Sequence, residues 1–351
     1  MVLYEIIFSL CKGTAARRRL IMINLGFAGF RHGHIYSLYN IAGESKNVNI
    51  AGAWEDFEEA KKAAETDLNA VFTYESYREM LSDSRLDAIA IGNYYSARGQ
   101  MIIDALNAGK HVITDKPMCT SLSELSEIKR LAKDKNLIIS MMLDLRYSKN
   151  VLAAKKIIDE GEIGTVNNIC FGGQHPLRYG TRPGWYFEEG RHGGGINDIA
   201  VHGIDIIRYI AGLEVKNILA ARCWNAFAVK EKHFKDSAQF MLELSNGAGV
   251  IADVSYAAPD SIGFALPCYW KFEIWGTKGL LIFSANSDGV QLYKNGNKTV
   301  ENIKGIQTDR NCLQDFIDEI GGKKDIILNT GEVLKSAEST LAIQQKADTL
   351  L

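Results

Sequence analysis

From residue 20 to about residue 143 the apolar positions fall in short unbroken runs separated by stretches of helical spacing. The runs "LIMINLGF" (20–27), "VNIAGAW" (48–54), "LDAIAIG" (86–92), "HVITDKPM" (111–118) and "LIISMML" (137–143) lack the polar alternation of a half-exposed strand. They predict strands covered on both faces. Between them, "GHIYSLYNIA", "DFEEAKKAAETD", "YREMLSD", "GQMIIDALNAG" and "LSELSEIKRLAKDKN" predict helices, the second opening on acids as the helix dipole favours. Strands alternating with helices in this way predict an α/β, doubly wound parallel sheet.

After about residue 150 the rhythm changes. A helix, "VLAAKKIIDEGEIG", leads to a strand, "TVNNICFGG", then to a loop over 176–195 rich in Gly, Arg and aromatics, and then to a helix, "DIAVHGIDIIRYIAG". Six further strands follow: "VKNILAARCW", "SAQFMLEL", "VIADVSYAA", "YWKFEIWG", "LLIFSA" and "GVQLYKNG", with "SNGAG" and "TKG" as tight turns. This half is therefore expected to be an α+β domain on an open antiparallel sheet, closed by a helix in "TGEVLKSAESTLAIQQKADTL". One sheet face has no predicted helix to cover it, which implies a homodimer or homotetramer through that face.

Length and charge narrow the partners. The chain has 351 residues, room for two domains, and 40 Lys plus Arg against 42 Asp plus Glu. That balance points away from nucleic acid and anionic membranes and toward a small molecule or another protein. No segment reaches the roughly 18 apolar residues of a membrane helix. The first twenty residues carry their charges after their apolar patch, the wrong order for a secretory signal. Six cysteines, at 11, 119, 170, 223, 268 and 312, form no CxxC pair. A reducing, cytoplasmic setting is expected, with no metal-ligand set.

"NLGFAGFRHGH" (24–34) follows the first strand and precedes a helix, the place of a phosphate-binding glycine loop. Laid from Gly26, the GxGxxG pattern finds Ala28 in its second place and Arg31 in its third. Gly29, Phe30 and Gly33 supply the rest of the loop, and Arg31 has the chemistry to pair with phosphate oxygens. The plainer alternative is an ordinary strand-to-helix turn. At the tip of the second strand Glu55, with Asp56 in reserve, is placed to accept from a ribose and to repel a 2′-phosphate, favouring NAD over NADP.

Two constellations carry chemistry. Lys116, in "TDKPM", stands at the carboxyl end of a parallel strand, the edge where such sheets bind ligands; the alternative is a surface lysine in a turn. Asp198 and His202, in "GGGINDIAVHGID", lie four apart on a predicted helix and share a face. His202 suits proton exchange with an alcohol, and three glycines ahead of the pair would keep that face open. The alternative is a buried pair whose members satisfy each other.

With these residues in place the chain resembles the Gfo/Idh/MocA oxidoreductases. "LDAIAIG", "ALNAGKHVITDKPM", "IIDEGEIGTV", "RPGWYF", "GGGINDIAVHGIDIIRYIAG" and "FEIWGTKGLL" fall in that family's order. Its EKP motif appears as Asp115-Lys116-Pro117, and its DxxxH pair as Asp198 and His202. The resemblance implies a Rossmann dinucleotide-binding domain over 21–145 and a substrate-binding and oligomerisation domain over 146–351 with a large open, mainly antiparallel sheet. Residues 1–20 are an extension of unassigned role, and the helix at 331–348 is expected to pack back on the first domain.

The resemblance further implies hydride transfer between NAD, or NADP, and a sugar, polyol or inositol-type alcohol. His202 would be the acid/base, Lys116 the bridge between substrate oxygen and cofactor region, and Asp198 the partner of Lys116 and a grip on a second hydroxyl. His34 falls where many members have a histidine. The family's ATPNxxH loop reads "GNYYSARG", with Tyr94 for the proline and Arg98 for the histidine. Gly92, Asn93, Arg98 and Asp115 accordingly join the expected cofactor contacts. Arg98 is expected to bind phosphate or an acidic substrate, or to face solvent. Arg146, Tyr147, Arg178, Tyr179, Arg182, Trp185 and Tyr186 are candidate sugar contacts. Two other functions are compatible with the motifs: an NAD-dependent glycoside hydrolase of the same fold, and a non-catalytic nucleotide-binding regulator.

Overall fold

The unbroken apolar runs become the parallel strands of the first domain. In a computed structural model that describes residues 22–349, its elements are β1 (Ile23–Ala28), α1 (Gly33–Glu44), β2 (Val48–Trp54), α2 (Glu58–Leu68), α3 (Tyr77–Ser82), β3 (Ala88–Ile91), α4 (Tyr95–Asn107), β4 (His111–Thr114), α5 (Leu122–Lys135) and β5 (Ile139–Met141). The strands lie in the order β2-β1-β3-β4-β5, every pair parallel. β3 is buried along its whole length, which is why its run shows no alternation. Local signals set the ends: Ser121 caps α5 by accepting from the Glu124 N–H, and Asn136 ends it in the left-handed region. The extension at 1–20 lies outside the described residues.

The second domain contains α6 (Lys149–Asp159), β6 (Val166–Pro176), one turn of π-helix (Ile196–Ala200) running into α7 (Val201–Ala211), β7 (Val215–Trp224), β8 (Ser237–Leu244), β9 (Gly249–Ala258), β10 (Lys271–Gly276), β11 (Gly279–Phe283), β12 (Gly289–Lys294), β13 (Glu301–Lys304), α8 (Cys312–Ile320) and α9 (Thr330–Asp348). Its eight strands are ordered β13-β12-β11-β10-β6-β9-β8-β7. Only β6 and β9 are parallel neighbours; the rest are antiparallel. β13 and α8 are absent from the sequence expectation; β13 is too short and too polar to show a period, whereas α8 carries one in Cys312, Leu313, Phe316 and Ile317 that the expectation passed over.

α8 and α9 close the molecule. Leu313, Phe316, Val333 and Leu341 complete the core of the first domain, whereas Ile343 and Ala347 join that of the second. One face of the large sheet packs under α7 through Phe171, Phe240 and Phe272. The other presents Leu219, Met241, Ile251, Trp275 and Tyr293 to solvent from five different strands, with Met241 and Ile251 directly opposite each other.

α7 lies close on the sheet because residue 203 has no side chain: a Cβ there would come within 2.3 Å of the Phe171 ring. Gly203→Ala is expected to destabilise the fold by about 1–3 kcal/mol through overpacking, read as a lower midpoint in chemical denaturation; an unchanged midpoint would show that the ring moves aside freely.

Candidate active site

A cavity of about 550 Å³ opens where the carboxyl ends of β1, β4 and β5 face the second domain. The first domain contributes Arg31 and His32 from the loop before α1, His34 from its first turn, Lys116 after β4 and Asp144 after β5. From the second come His175, Arg178, Arg182, Tyr186, Asp198, His202 and Tyr256. A second cavity of equal volume lies near the β10–β12 turns, lined by Lys271, Ser284 and Asp288 and by none of the residues above.

Lys116, Asp198 and His202 meet at the first cavity although they come from two domains. All three are at least 96 % buried. The Lys116 ammonium donates to Asp198 Oδ1 at 2.6 Å and to the Asp198 carbonyl at 3.1 Å. An ammonium has three donors, so one remains for a ligand. Tyr95 also donates to Asp198 Oδ1, at 2.8 Å, and Tyr256 donates to Oδ2. Burial pushes the Asp198 carboxyl up, but the Lys116 charge together with His192 and His32 outweighs it and holds the group well below the usual range. Burial, reinforced by Lys116, pushes His202 well below the ordinary histidine value, so the imidazole is neutral and able to accept a proton. Its Nδ1 has no protein partner.

The glycines before Asp198 serve a different end from the one expected. Gly193 and Gly194 have φ of 75° and 96°, and a Cβ would lie 2.3 Å from Thr120 or 2.2 Å from Gln344. They permit close approach of neighbouring elements rather than an open face. Gln344 of α9 then accepts from the Ile196 N–H at 3.0 Å and the Asn197 N–H at 3.3 Å, fixing the turn that carries Asp198.

The phosphate loop is shifted three residues along from the expected register. Gly26 and Ala28 lie inside β1, and the sharp turn falls at Gly29, with φ 85° and a Cβ position 2.7 Å from the Asn93 nitrogen. Phe30 is buried in the core, and its N–H donates to Glu55 Oε2 at 2.6 Å. Glu55 also takes Arg31 Nε at 2.8 Å and the Phe57 N–H at 2.9 Å. It is thereby spent on holding the loop, and the exposed acid at the tip of β2 is Asp56, itself paired with Arg31 at 2.6 Å. Gly92 accepts the Arg31 N–H and lies against Ile35, while Asn93 is buried beside Met101. These residues shape the loop from behind. What faces the cavity is the start of α1: His32 makes no side-chain cap, and the Gly33 Cβ position is open. Uncapped amides at a helix N-terminus, with space before them, fit a pyrophosphate.

Several expected contacts are elsewhere. Arg98 is fully buried and neither binds at the cavity surface nor faces solvent: it donates to the Asn93 and Pro117 carbonyls and to Asp115 Oδ2 at 3.1 Å. Asp115 is buried with it, hydrogen-bonded to His32 at 2.6 Å and 3.4 Å from His34. Burial raises its carboxyl, but Arg98 and the two histidines hold it low. His32, His34 and Asp115 bring ligand atoms within 4.8 Å of one another, although no metal-ligand set was expected. Arg146 is an interior strut, paired with Asp205 and bonded to the Ile327 carbonyl. Tyr147 donates to Asp315, Tyr179 to Glu231 on the surface, and Trp185 packs behind Tyr186 with ring centroids 4.2 Å apart. His175, Tyr256 and Asp144 line the cavity without having been singled out. The first two sit at strand ends with no motif around them, and Asp144 follows the predicted fifth strand, where its position at the ligand-binding edge was the available signal.

Family comparison agrees with this architecture. Residues 20–143 match the oxidoreductase family model with an NAD-binding Rossmann fold, and residues 151–282 match the GFO/IDH/MocA C-terminal domain. The chain belongs to the Gfo/Idh/MocA oxidoreductase family. Its first domain is the family's NAD-binding Rossmann domain. Among its relatives are an uncharacterized oxidoreductase, YrbE, of Bacillus subtilis, 31% identical over 206 residues (58% of this chain, 57% of the relative), and the scyllo-inositol 2-dehydrogenase (NAD(+)) of the same organism, 30% identical over 203 residues (57% and 56%). The matched stretch thus spans little more than half the length of these relatives. The solved levoglucosan dehydrogenase in complex with NADH superposes with a TM-score of 0.77 at 20% identity, over 93% of this chain and 97% of that one, a likeness of fold.

The depression of His202 has a direct readout. As pH falls through about 6.5, the His202 ring should stay neutral in the native protein, seen by NMR of labelled histidine. Lys116→Met should move its titration upward, because a neighbouring positive charge is removed; a midpoint that does not move would assign the depression to burial alone.

Proposed function

We propose that this Gfo/Idh/MocA member is an NAD-dependent dehydrogenase acting on a secondary alcohol of a sugar, polyol or cyclitol. The observation that carries the reading is the convergence of Lys116, Asp198 and His202 on one cavity that also exposes the uncapped start of α1. Gly33, His34 and Arg31 are the residues to hold a pyrophosphate, with Asp56 beside the adenosine ribose; its carboxylate favours NAD, as Glu55 was expected to. When bound, the nicotinamide accepts the hydride from the carbinol carbon.

The remaining work falls to the chain. The free N–H of Lys116 donates to the substrate oxygen and stabilises the negative charge that grows there. His202 takes the hydroxyl proton, and returns it when a ketone is reduced. Asp198 has Lys116 and two tyrosines on its oxygens, so its part is to hold and aim the ammonium rather than to grip a second hydroxyl. Phe264 and Tyr269 line the cavity with their rings against His175. A cytoplasmic setting accords with the five described cysteines being free; among the described residues no helix is long and apolar enough to cross a membrane.

NADH formation should be measurable with a panel of inositols, polyols and aldoses. Lys116→Ala and His202→Ala should each lower kcat/KM by about 10²–10⁴. Full activity in both variants would rule the mechanism out.

The apolar stripe on the open sheet is read as the contact between copies of the chain. Light scattering should give a dimer or tetramer, and a Met241→Glu, Trp275→Glu double variant should shift it toward monomer; a monomeric native protein would remove this assignment.

A further inference from the structure

Charge bookkeeping in the cavity leaves two guanidinium groups without partners. Arg31, Lys116, Arg178 and Arg182 line it against Asp144 and Asp198. The lining histidines His34 and His175 do not add charge, since burial lowers both to about 3. Arg31 is answered by Glu55 and Asp56, and Lys116 by Asp198. Among the described residues, no carboxylate pairs with the guanidinium of Arg178 or Arg182. Arg178 stands over the Phe264 ring at 5.8 Å, and Asp260 meets only its backbone N–H.

Arg182 is the better placed of the two. It stacks on the Tyr186 ring at 4.7 Å, and Tyr186 is hydrogen-bonded to Tyr95, which donates to Asp198. One aromatic layer thus separates it from the Lys116–Asp198 pair. Its Nε donates to the Leu177 carbonyl at 2.9 Å and one Nη to the Pro176 carbonyl at 2.7 Å. That fixes the plane of the guanidinium and leaves its end edge, formed by one N–H from each Nη, without an acceptor among the described residues. Such an edge presents two parallel N–H donors in the geometry of a carboxylate. A half-buried guanidinium held in this way is costly unless an anion meets it.

From this we propose that the substrate carries a carboxylate, as in a uronic or aldonic acid, and that Arg182 receives it with Arg178 at the rim. Two guanidinium charges against Asp144, the one lining acid without a basic partner among the described residues, leave a surplus of at most one, since Arg31 already faces two carboxylates, and a monoanion matches that better than a phosphate dianion. Asp144 comes from the first domain and takes the Cys312 thiol at 3.1 Å, so it faces the other part of the ligand. The proposal rests on the dehydrogenase reading only for what happens at the carbinol carbon.

Calorimetric titration of the full chain, with NAD present, tests it using glucuronate, gluconate, glucose and glucose 6-phosphate. The acids should bind at least about tenfold tighter than glucose, in line with a charged hydrogen-bonded pair. Glucose 6-phosphate should not exceed them. Arg182→Gln should collapse the ratio of acid to glucose affinity, with its unfolding midpoint measured alongside to confirm a folded protein. If that variant does not fold, the ratio in the native chain decides. Equal affinity for glucose and the acids, or a preference for the phosphate ester, would overturn the proposal. Acid binding without NADH formation from any alcohol would leave the carboxylate site standing and remove the dehydrogenase reading; turnover of neutral sugars without acid preference would do the reverse.

Discussion

The structure turns on one ion pair, Lys116 with Asp198, buried at the boundary of the two domains. Two charges taken out of water gain little net stability unless every remaining lone pair and proton is matched. Here they are matched closely: two tyrosines complete the carboxylate, a backbone carbonyl takes a second ammonium proton, and one proton is left over. Removing either partner would strand the other, at a cost of about 3–5 kcal/mol for a buried pair. The pair therefore sets how β4 faces the turn before α7, and with it the distance across the cavity.

The same pair organises the surrounding electrostatics. A positive group beside His202 adds to burial in lowering its proton affinity, and the Asp198 carboxylate holds the Lys116 ammonium in place. In the proposed mechanism the neutral imidazole is the base and the Lys116 N–H the donor to the substrate oxygen. Burial alone already favours the neutral imidazole, since it disfavours every charge.

How much of this was legible in the sequence depends on the range of the signal. Unbroken apolar runs reported strands buried on both sides, and the tight turns reported the antiparallel sheet. The four residues of β13 carry too few positions for a period to emerge, whereas the nine of α8 do show one, in Cys312, Leu313, Phe316 and Ile317, which the expectation passed over. Lys116, Asp198 and His202 were found because a strand end and a one-turn spacing are local facts. Arg98 and Arg146 were misplaced because a guanidinium in a string of letters does not reveal its acceptors. Those of Arg146 lie 59 and 181 residues away. Gly26 misled for a related reason: the glycine pattern was counted from the wrong end of a strand that runs two residues further than that glycine, and only the backbone shows that the turn waits until Gly29.

Gln344 gives the last helix an unexpected standing. It has no place in the cavity, yet its side-chain oxygen holds the two amides that lead into Asp198. α9 is thus both a wall of the first domain's core and the anchor of the turn that carries Asp198 in the second. Under the proposed function, a substitution that lets this helix slide or fray would surface as slow chemistry, a defect whose source lies in the scaffold and whose symptom appears at the reacting carbon.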